Sequence, residues 1–582
     1  MKKLAVIIIL IAYSTMAMAQ SQAHNPNDPN FSMKCKTGQY IKYTITSNKE
    51  PYTVIVNGLS GDLEKLKKFE IPSTVHYRNV DFAITAINKA AFAGISTLTS
   101  ITIPQTVKEI GSEAFIGCSA LKTIKIGGTI EKCGEKAFNS TAIAKPIYTG
   151  KTLVYYPPSM TEYKIEEGTE NVLEYAFSDC TDLTSITIPK SVKNIYVSTF
   201  ANCDKLESIS VDNGNATFDS RDNCNAIINT SENKIIKGCK NSIIPNSIKT
   251  IARIAFANTG INKIDIPNSV TTIEDSAFYN CELTNITIPE SVKEIGASAF
   301  IKNKKLAVVN FDAIECNTMS NIHPAFEQCQ SFTSVNFGSN VKVVPAFSFK
   351  GCSELKYVTL SNSTEKIGTE AFADCSNLTY IEIPLSVQKV ESKALYNTGI
   401  YEPVYNENIF VYYYGDSKEY KIPEGIKIIA EKAFYENETL KSIIIPNSVT
   451  TIDEYAFCEV KSLESITIPN SVTKIGQSAF RYCTKLKSVS LPNSITTIEK
   501  ETFMGCNDLK TIVLPNSVEK LENNIFYWCE TIESVTLPKS IKSIDKYALN
   551  GNNMKYIYIP KGTMSQFKSM LDPEYHSKLK EK

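Results

Sequence analysis

A 23-residue unit recurs along this chain and limits its possible folds more than any other feature. Alignment on Ala-Phe pairs and their variants gives eighteen anchor residues, most often 23 residues apart. The anchors are Phe92, Phe115, Phe138, Phe177, Phe200, Phe256, Phe278, Phe300, Phe326, Phe349, Phe372, Leu395, Phe434, Phe457, Phe480, Phe503, Phe526 and Leu549. One unit cannot cover its own apolar side chains, but a stack of units buries them in a shared core. The repeat therefore predicts a solenoid with one turn per unit.

The stretch from Leu463 to Cys483, "LESITIPNSVTKIGQSAFRYC", shows the parts of a unit. Alternation in "ITIP" predicts a strand with Ile466 and Ile468 inward and Thr467 outward, which Pro469 ends. The following V-x-x-I-G predicts a second short extended segment, and the Ala-Phe box a short helical or 3₁₀ turn. We predict a mostly β, α/β repeat solenoid with one parallel sheet and short helical or 3₁₀ turns on the opposite side.

The motif L-x-x-I-x-I-P-x-S-V-x-x-I-G-x-x-A-F-x-x-C resembles the BspA-like leucine-rich repeats of bacterial surface proteins, over roughly Lys34 to Pro560. A segment holding Asn225-Ala226-Ile227-Ile228 and Gly238-Cys239 is also similar to one in that family. The resemblance implies export and adhesion to host matrix proteins or to other cells. No C-terminal sorting or immunoglobulin-like module is recognisable after the repeats, so surface attachment, release and periplasmic residence all stay open.

The N-terminus has the order of a secretory signal: MKK, then the apolar run LAVIIILIAY, then Ala17-Met18-Ala19. We expect a signal peptide at 1–19, a disordered lead-in at 20–32 and an N-terminal cap at 33–90. The solenoid is expected at 91–560, followed by a cap or tail at 561–582. No later run of eighteen apolar residues could cross a bilayer, so we expect no membrane-spanning segment in the mature chain.

Three long gaps between anchors predict inserts near 144–166, 211–243 and 401–423. The first and third of these resemble each other, and the turn signals Thr149-Gly150-Lys151 and Asn406-Glu407-Asn408 predict hairpins. The segment near 211–243 predicts another strand pair. We expect the inserts to divide one continuous solenoid into four runs of regular turns.

The composition argues against several functions. Sixty-one basic residues balance sixty-one acidic ones, which removes the positive field that nucleic-acid binding requires. Only four histidines occur, and none lies in a nucleophile motif. No C-x-x-C spacing suggests a metal site. We expect no enzyme activity, no metal and no cofactor.

Sixteen cysteines in an exported chain would suggest a disulfide framework, but most follow the repeat. Ten lie three residues after an anchor Phe, where other turns hold Thr, Asn or Val, so we interpret them as buried structural thiols. Cys224 and Cys239 flank the middle insert and are the candidates for a disulfide.

Exposed tyrosines are the candidate ligand contacts. Tyr357 and Tyr380 lie one turn apart at an outward position beside the first strand, and the two similar inserts carry further tyrosines, which suit interfaces. These are Tyr405, Tyr412, Tyr413 and Tyr414 in one insert, and Tyr148, Tyr155 and Tyr156 in the other. We therefore expect a monomeric, exported protein, on the cell surface, secreted or periplasmic, that binds an extracellular protein or glycan. Adhesion or recognition is the first hypothesis, and glycan capture for nutrient uptake is the alternative.

Overall fold

The computed structural model of the chain describes residues 28–550 and 554–582. The predicted signal peptide lies outside the described residues. The contacts between residues divide the chain into two compact units. Unit 1 comprises Met1–Ser159, Gly168–Cys180 and Asn194–Ala201, and unit 2 comprises Met160–Glu167, Thr181–Lys193 and Asn202–Lys582.

Unit 1 begins with a cap sheet in which two antiparallel pairings precede the first parallel one. The first strand, Asn30–Lys34, begins inside the segment 20–32 expected to be a disordered lead-in, and Phe31 is buried against the ring of Tyr43. The cap strands are Asn30–Lys34, Tyr40–Ser47, Thr53–Ser60, Thr74–Tyr77 and Val80–Ile87.

The turns of unit 1 extend two parallel ladders, one for each strand of the repeat. The first ladder contains Lys68–Glu70, Ser100–Ile103 and Thr123–Ile126. The second continues the cap sheet through Glu109–Ile110 and Lys132–Cys133, and a separate sheet holds Ile147–Thr149, Thr152–Tyr155 and Asn171–Val172. The second extended segment of the repeat is thus a strand, as predicted.

Unit 2 repeats the same two ladders. Its first strands are Glu162–Lys164, Ser185–Ile188, Ser208–Val211, Asn285–Ile288, Val308–Phe311, Ser334–Phe337, Tyr357–Thr359, Glu419–Lys421, Ser442–Ile444, Ser465–Thr467, Ser488–Ser490, Thr511–Val513, Ser534–Thr536 and Tyr556–Ile559. Its second strands are Thr250–Ile251, Thr272–Ile273, Glu294–Ile295, Val343–Val344, Lys366–Ile367, Lys389–Val390, Ile428–Ile429, Thr451–Ile452, Lys474–Ile475, Thr497–Ile498, Lys520–Leu521 and Ser543–Ile544.

Unit 2 ends in a helix, Met564–Met570, a 3₁₀ helix, Pro573–Lys578, and the strand Leu579–Glu581, which pairs with the last repeat strand. Phe567 and Tyr575 of this segment are buried and belong to the same apolar core as the preceding turns. The tail therefore covers the end of the core, which an open stack of turns requires.

The Ala-Phe boxes differ from the predicted helical or 3₁₀ form. Val197–Phe200 is a 3₁₀ helix, but the other described boxes are tight turns. In the box around Phe115, Glu113 and Gly117 both have positive φ, which interrupts a helical path. The N–H groups of Glu113, Phe115 and Gly117 instead donate to carbonyl oxygens of the next turn. The boxes thus add a third line of backbone hydrogen bonds between turns, beside the two strand ladders.

The anchor rings of neighbouring turns stack on one another in both units. Phe457 and Phe480 lie on neighbouring turns with ring centroids 5.3 Å apart and planes 5° apart, and both are fully buried. Phe115 and Phe138 have the same relation in unit 1, at 5.5 Å and 2°. Successive turns therefore share an apolar core, as the repeat predicted.

The inserts are shortened turns and not interruptions of the stack. In the first insert, the backbone N–H of Tyr156 donates to the carbonyl oxygen of Ala176, which is the bond that an anchor Phe makes in a regular turn. The centroid of the Tyr156 ring lies 4.8 Å from that of Phe177. In the matching insert, the backbone N–H of Tyr413 donates to the carbonyl oxygen of Ala433. The insert strands of unit 2 are Phe218–Asp219, Ala226–Asn229, Lys234–Gly238, Val404–Tyr405 and Ile409–Tyr412, and Arg221–Asn223 is a 3₁₀ turn.

The middle insert uses glycine at the anchor position. The N–H of Gly238 donates to Ala255, and a Cβ on Gly238 would lie 2.1 Å from the ring of Phe256. The neighbouring ring thus fills the space that a side chain would take. With three such turns added to the eighteen anchored ones, the protein is a β-solenoid of about 21 turns. The inserts therefore do not separate four runs, because each supplies a strand and an anchor-position residue to the stack.

Candidate functional site

Tyr357 and Tyr380 line one shallow concavity of about 400 Å³ on the first-strand side of unit 2. Their side chains are 66% and 69% exposed. Tyr357–Thr359 is the last strand of its sheet, and the corresponding residues of the next turn, 379–383, are not paired in a strand. Lys356 and Glu382 also line the concavity and place one charge of each sign beside the rings. The surface combines aromatic area with polar groups, as protein-binding surfaces do.

The tyrosines of the two similar inserts divide into exposed and buried groups. Tyr405 and Tyr414 are exposed, whereas Tyr148 and Tyr412 are partly buried.

Three predicted contact residues cannot offer surface to a ligand. Tyr155, Tyr156 and Tyr413 are 7%, 0% and 4% exposed. Tyr156 and Tyr413 take the anchor position of their turns, and the ring of Tyr155 packs 5.1 Å from that of Phe138. These three tyrosines are therefore core residues.

The cysteines are free thiols, and all except Cys35 are buried. Cys224 and Cys239 are not bonded to each other, contrary to the candidate pairing. The Cys239 thiol donates to the carbonyl oxygen of Asn225 at 3.3 Å, and the Cys224 thiol is directed toward the carbonyl oxygen of Ala226 at 3.8 Å. Each thiol therefore has its own backbone partner.

Most thiols that follow an anchor bond to the same kind of acceptor, the carbonyl oxygen of the anchor-position residue one turn earlier. Cys118 lies 3.0 Å from Phe92 O, Cys483 lies 3.1 Å from Phe457 O, and Cys529 lies 3.0 Å from Phe503 O. Burial raises the pKa of Cys118 to about 11. Burial also raises the pKa of Cys281 and Cys529 to about 12. Such thiols are protonated at neutral pH and are poor nucleophiles and metal ligands.

The three histidines in the described part of the chain do not assemble a catalytic group. His76 Nδ1 lies 2.8 Å from Asp81 Oδ1, with both side chains exposed on a hairpin of the cap. His323 bonds through its backbone in a connection, and His576 bonds to carbonyl oxygens in the C-terminal segment. Within residues 28–550 and 554–582, no group of three His, Cys, Asp or Glu side chains is arranged to hold a metal ion.

A larger concavity, of about 840 Å³, lies within unit 1 on the second-strand side. Asn88, Glu109, Lys132 and Glu174 supply polar groups to it, and Tyr196 also lines it. Glu109 and Lys132 form an ion pair of 2.9 Å. The volume is within the range of ligand sites. Sequence reasoning missed it because its lining comes from the cap and from several turns, with no local motif.

The part of the chain that the structure describes contains no helix of the length and apolarity needed to cross a bilayer.

A family model described as the BspA-type leucine-rich repeat region matches the chain in six copies. The copies cover residues 60–157, 149–237, 232–323, 313–411, 404–533 and 496–572. No curated protein gives a significant match.

Solved structures with similarity include three leucine-rich repeat proteins of bacteria. One from Eubacterium ventriosum is 23% identical, with 62% of this chain and 94% of that chain covered and a TM-score of 0.41. One from Bacteroides ovatus is 20% identical, with 93% and 98% covered and a TM-score of 0.31. A leucine-rich cell surface protein of Faecalibacterium prausnitzii is 18% identical, with 93% and 97% covered and a TM-score of 0.23.

Proposed function

Because this chain belongs to the BspA-type leucine-rich repeat family, we propose that it is an exported, non-catalytic binding protein that adheres to or recognises a host or microbial macromolecule. The supporting observation is the pair of exposed rings of Tyr357 and Tyr380, which line one concavity. Family members are typically non-enzymatic, and the sequence carries a signal-like N-terminus.

The chemistry of the surface favours an extended protein segment as the ligand. Tyrosine combines a large apolar area with a hydroxyl group and loses little conformational entropy on binding. Lys356 and Glu382 beside the rings can pair with opposite charges on a partner. A shallow concavity of this kind leaves most of a small molecule in water, whereas a protein or glycan can cover it and its rim.

A binding screen of the mature protein against immobilised host matrix proteins and against polysaccharides tests the proposal. We expect a matrix or cell-surface protein to bind, and Tyr357→Ala with Tyr380→Ala to weaken binding by about tenfold or more, as for central aromatic contacts. Thr467→Ala with Ser490→Ala is the matched control, because both side chains are exposed on first strands of other turns. Binding to polysaccharides alone, lost in the tyrosine double variant, would replace adhesion with glycan capture. Equal binding by both double variants would remove the surface from the proposal.

A further inference from the structure

The second residue after an anchor has a left-handed backbone in each regular turn whose residue at this position is described. From Gly94 to Trp528 there are seventeen such positions, and all have positive φ. Fifteen are Gly, Asn, Asp, Ser, Lys, Gln or Glu, and the remaining two are Tyr482 and Trp528. Glycine and short polar residues adopt this conformation most readily, whereas bulky ones do so at a cost. The aromatic residues therefore oppose the local preference of their position.

Glycine between these two residues lets their rings approach each other. Tyr482, Gly505 and Trp528 occupy the same position in three successive turns. A Cβ on Gly505 would lie 2.3 Å from Cδ1 of Tyr482, so the Tyr482 ring lies over Gly505. The rings of Tyr482 and Trp528 have centroids 6.0 Å apart and planes 23° apart. Tyr527 adds a third ring, 5.1 Å and 24° from Trp528.

The rings do not contribute to the apolar core. Trp528 is 46% exposed and Tyr482 is partly exposed, whereas the neighbouring anchors Phe503 and Phe526 are fully buried. Trp528 is also the single tryptophan of the chain. Core packing thus does not explain why Tyr482 and Trp528 occupy positions whose left-handed backbone disfavours bulky residues. Departures from local preference of this kind are typical of functional positions.

Arg481 and Glu501 supply polar groups at the edge of this aromatic platform. The Arg481 guanidinium lies 4.8 Å from the centroid of the Tyr482 ring. Arg481 Nη1 donates to Glu501 Oε2 at 3.1 Å, and Nη2 donates to the Tyr482 hydroxyl at 3.4 Å. The platform therefore has hydrogen-bond donors and an acceptor held beside its rings.

We propose that Tyr482, Tyr527 and Trp528 form a saccharide-binding platform in unit 2, separate from the Tyr357 and Tyr380 surface. A pyranose ring has an apolar C–H face that stacks on an aromatic ring, and its hydroxyl groups then reach Arg481 and Glu501. A cationic ligand fits less well, because the Tyr482 and Tyr527 rings each lie within 24° of the Trp528 plane and form no cage with it, and Arg481 is itself a cation.

Tryptophan emission from the mature protein tests this platform directly, because Trp528 is its single source. The probes are neutral hexasaccharides built from glucose, mannose, xylose, galactose or N-acetylglucosamine. We expect at least one to change the emission saturably. Trp528→Asn should then weaken binding of that probe by about tenfold or more in calorimetric titration, as for a central aromatic contact. Tyr482→Asn should weaken it as well.

The asparagine variants separate binding from folding. Asn suits a left-handed backbone better than Trp or Tyr, so both variants should unfold at or above the temperature of the parent protein. The Tyr357→Ala and Tyr380→Ala double variant should keep the affinity for the saccharide. No response to any probe, or equal saccharide affinity in Trp528→Asn, would overturn the platform. Protein binding that Trp528→Asn alone abolishes, without saccharide binding, would assign these rings to a protein partner instead.

Discussion

The thiol of Cys506 donates to the carbonyl oxygen of Phe480, one turn earlier, at 3.2 Å. Both residues are fully buried, so water cannot replace this bond. The Asn303 amide likewise donates to the anchor one turn earlier, 2.7 Å from Phe278 O, whereas the Thr259 hydroxyl donates to Phe256 O, the anchor of its own turn. The position three residues after an anchor therefore holds a side-chain donor in most turns, with Ile95 and Val460 as apolar exceptions.

Replacement of Cys506 by alanine should lower the free energy of unfolding by about 1 kcal/mol, because it removes the thiol bond to the Phe480 carbonyl oxygen, which keeps its bond from the Cys483 N–H. Serine should cost less than alanine, because its hydroxyl still donates. Urea denaturation of the three proteins, followed by circular dichroism, measures the difference. Equal stability of the alanine variant and the parent protein would contradict a role for the thiol bond.

Alkylation should distinguish Cys35 from the other fifteen cysteines. Cys35 is partly exposed, and the others are buried with backbone partners or within the core. Because burial raises the pKa of Cys118 to about 11 and that of Cys133 to about 12, their thiolate fractions stay small at pH 8. Iodoacetamide followed by intact-mass measurement should find one adduct on the native protein and sixteen on the denatured, unreduced protein. A deficit of two in the denatured protein would reveal a disulfide.

Truncation of a stacked anchor should destabilise the turns strongly. Phe480 lies between Phe457 and Phe503, at centroid distances of 5.3 and 5.7 Å. Phe480→Ala should cost about 3–5 kcal/mol, because it removes a ring and leaves a cavity. Phe480→Leu is the matched control, since Leu395 and Leu549 take the anchor position in two other turns, and it should cost about 1.5 kcal/mol or less. Comparable losses in the two variants would contradict this account.

The buried Lys237 should make stability depend on pH in an unusual direction. Its side chain is 4% exposed, and burial lowers the pKa of its amine, against the smaller opposing effect of nearby Cys203 and Cys281. The unfolded chain then binds more protons than the folded one between the lowered pKa and the ordinary lysine pKa of about 10.4, so this residue's contribution to stability should rise with pH across that interval.

Lys237→Met should remove that contribution and raise the unfolding temperature at pH 7, since no amine then has to be taken out of water on folding. Lys240→Met is the control, because Lys240 is an exposed partner of Glu207 in the same segment. Thermal unfolding between pH 6 and pH 9 measures both. If Lys237→Met unfolds at a lower temperature than the parent protein throughout this range, the predicted direction is wrong.

The sequence alone determined the 23-residue register, the inward Ile466 and Ile468, the outward Thr467 and the buried anchors. These follow from periodicity within one turn, where alternation along a strand and the need to bury apolar side chains leave one arrangement. The exposure of Tyr357 and Tyr380 followed in the same way.

Only the tertiary structure decided which residues of the irregular segments replace a regular turn. Tyr156 and Tyr413 look like surface tyrosines in sequence, yet each bonds to an alanine of the next turn and takes an anchor position. The acceptor of each thiol and the contact of Tyr482 with Trp528 likewise join residues of different turns. Such pairs depend on how the turns stack, because the spacing that brings them together is set by hydrogen bonds between turns and not by the local sequence.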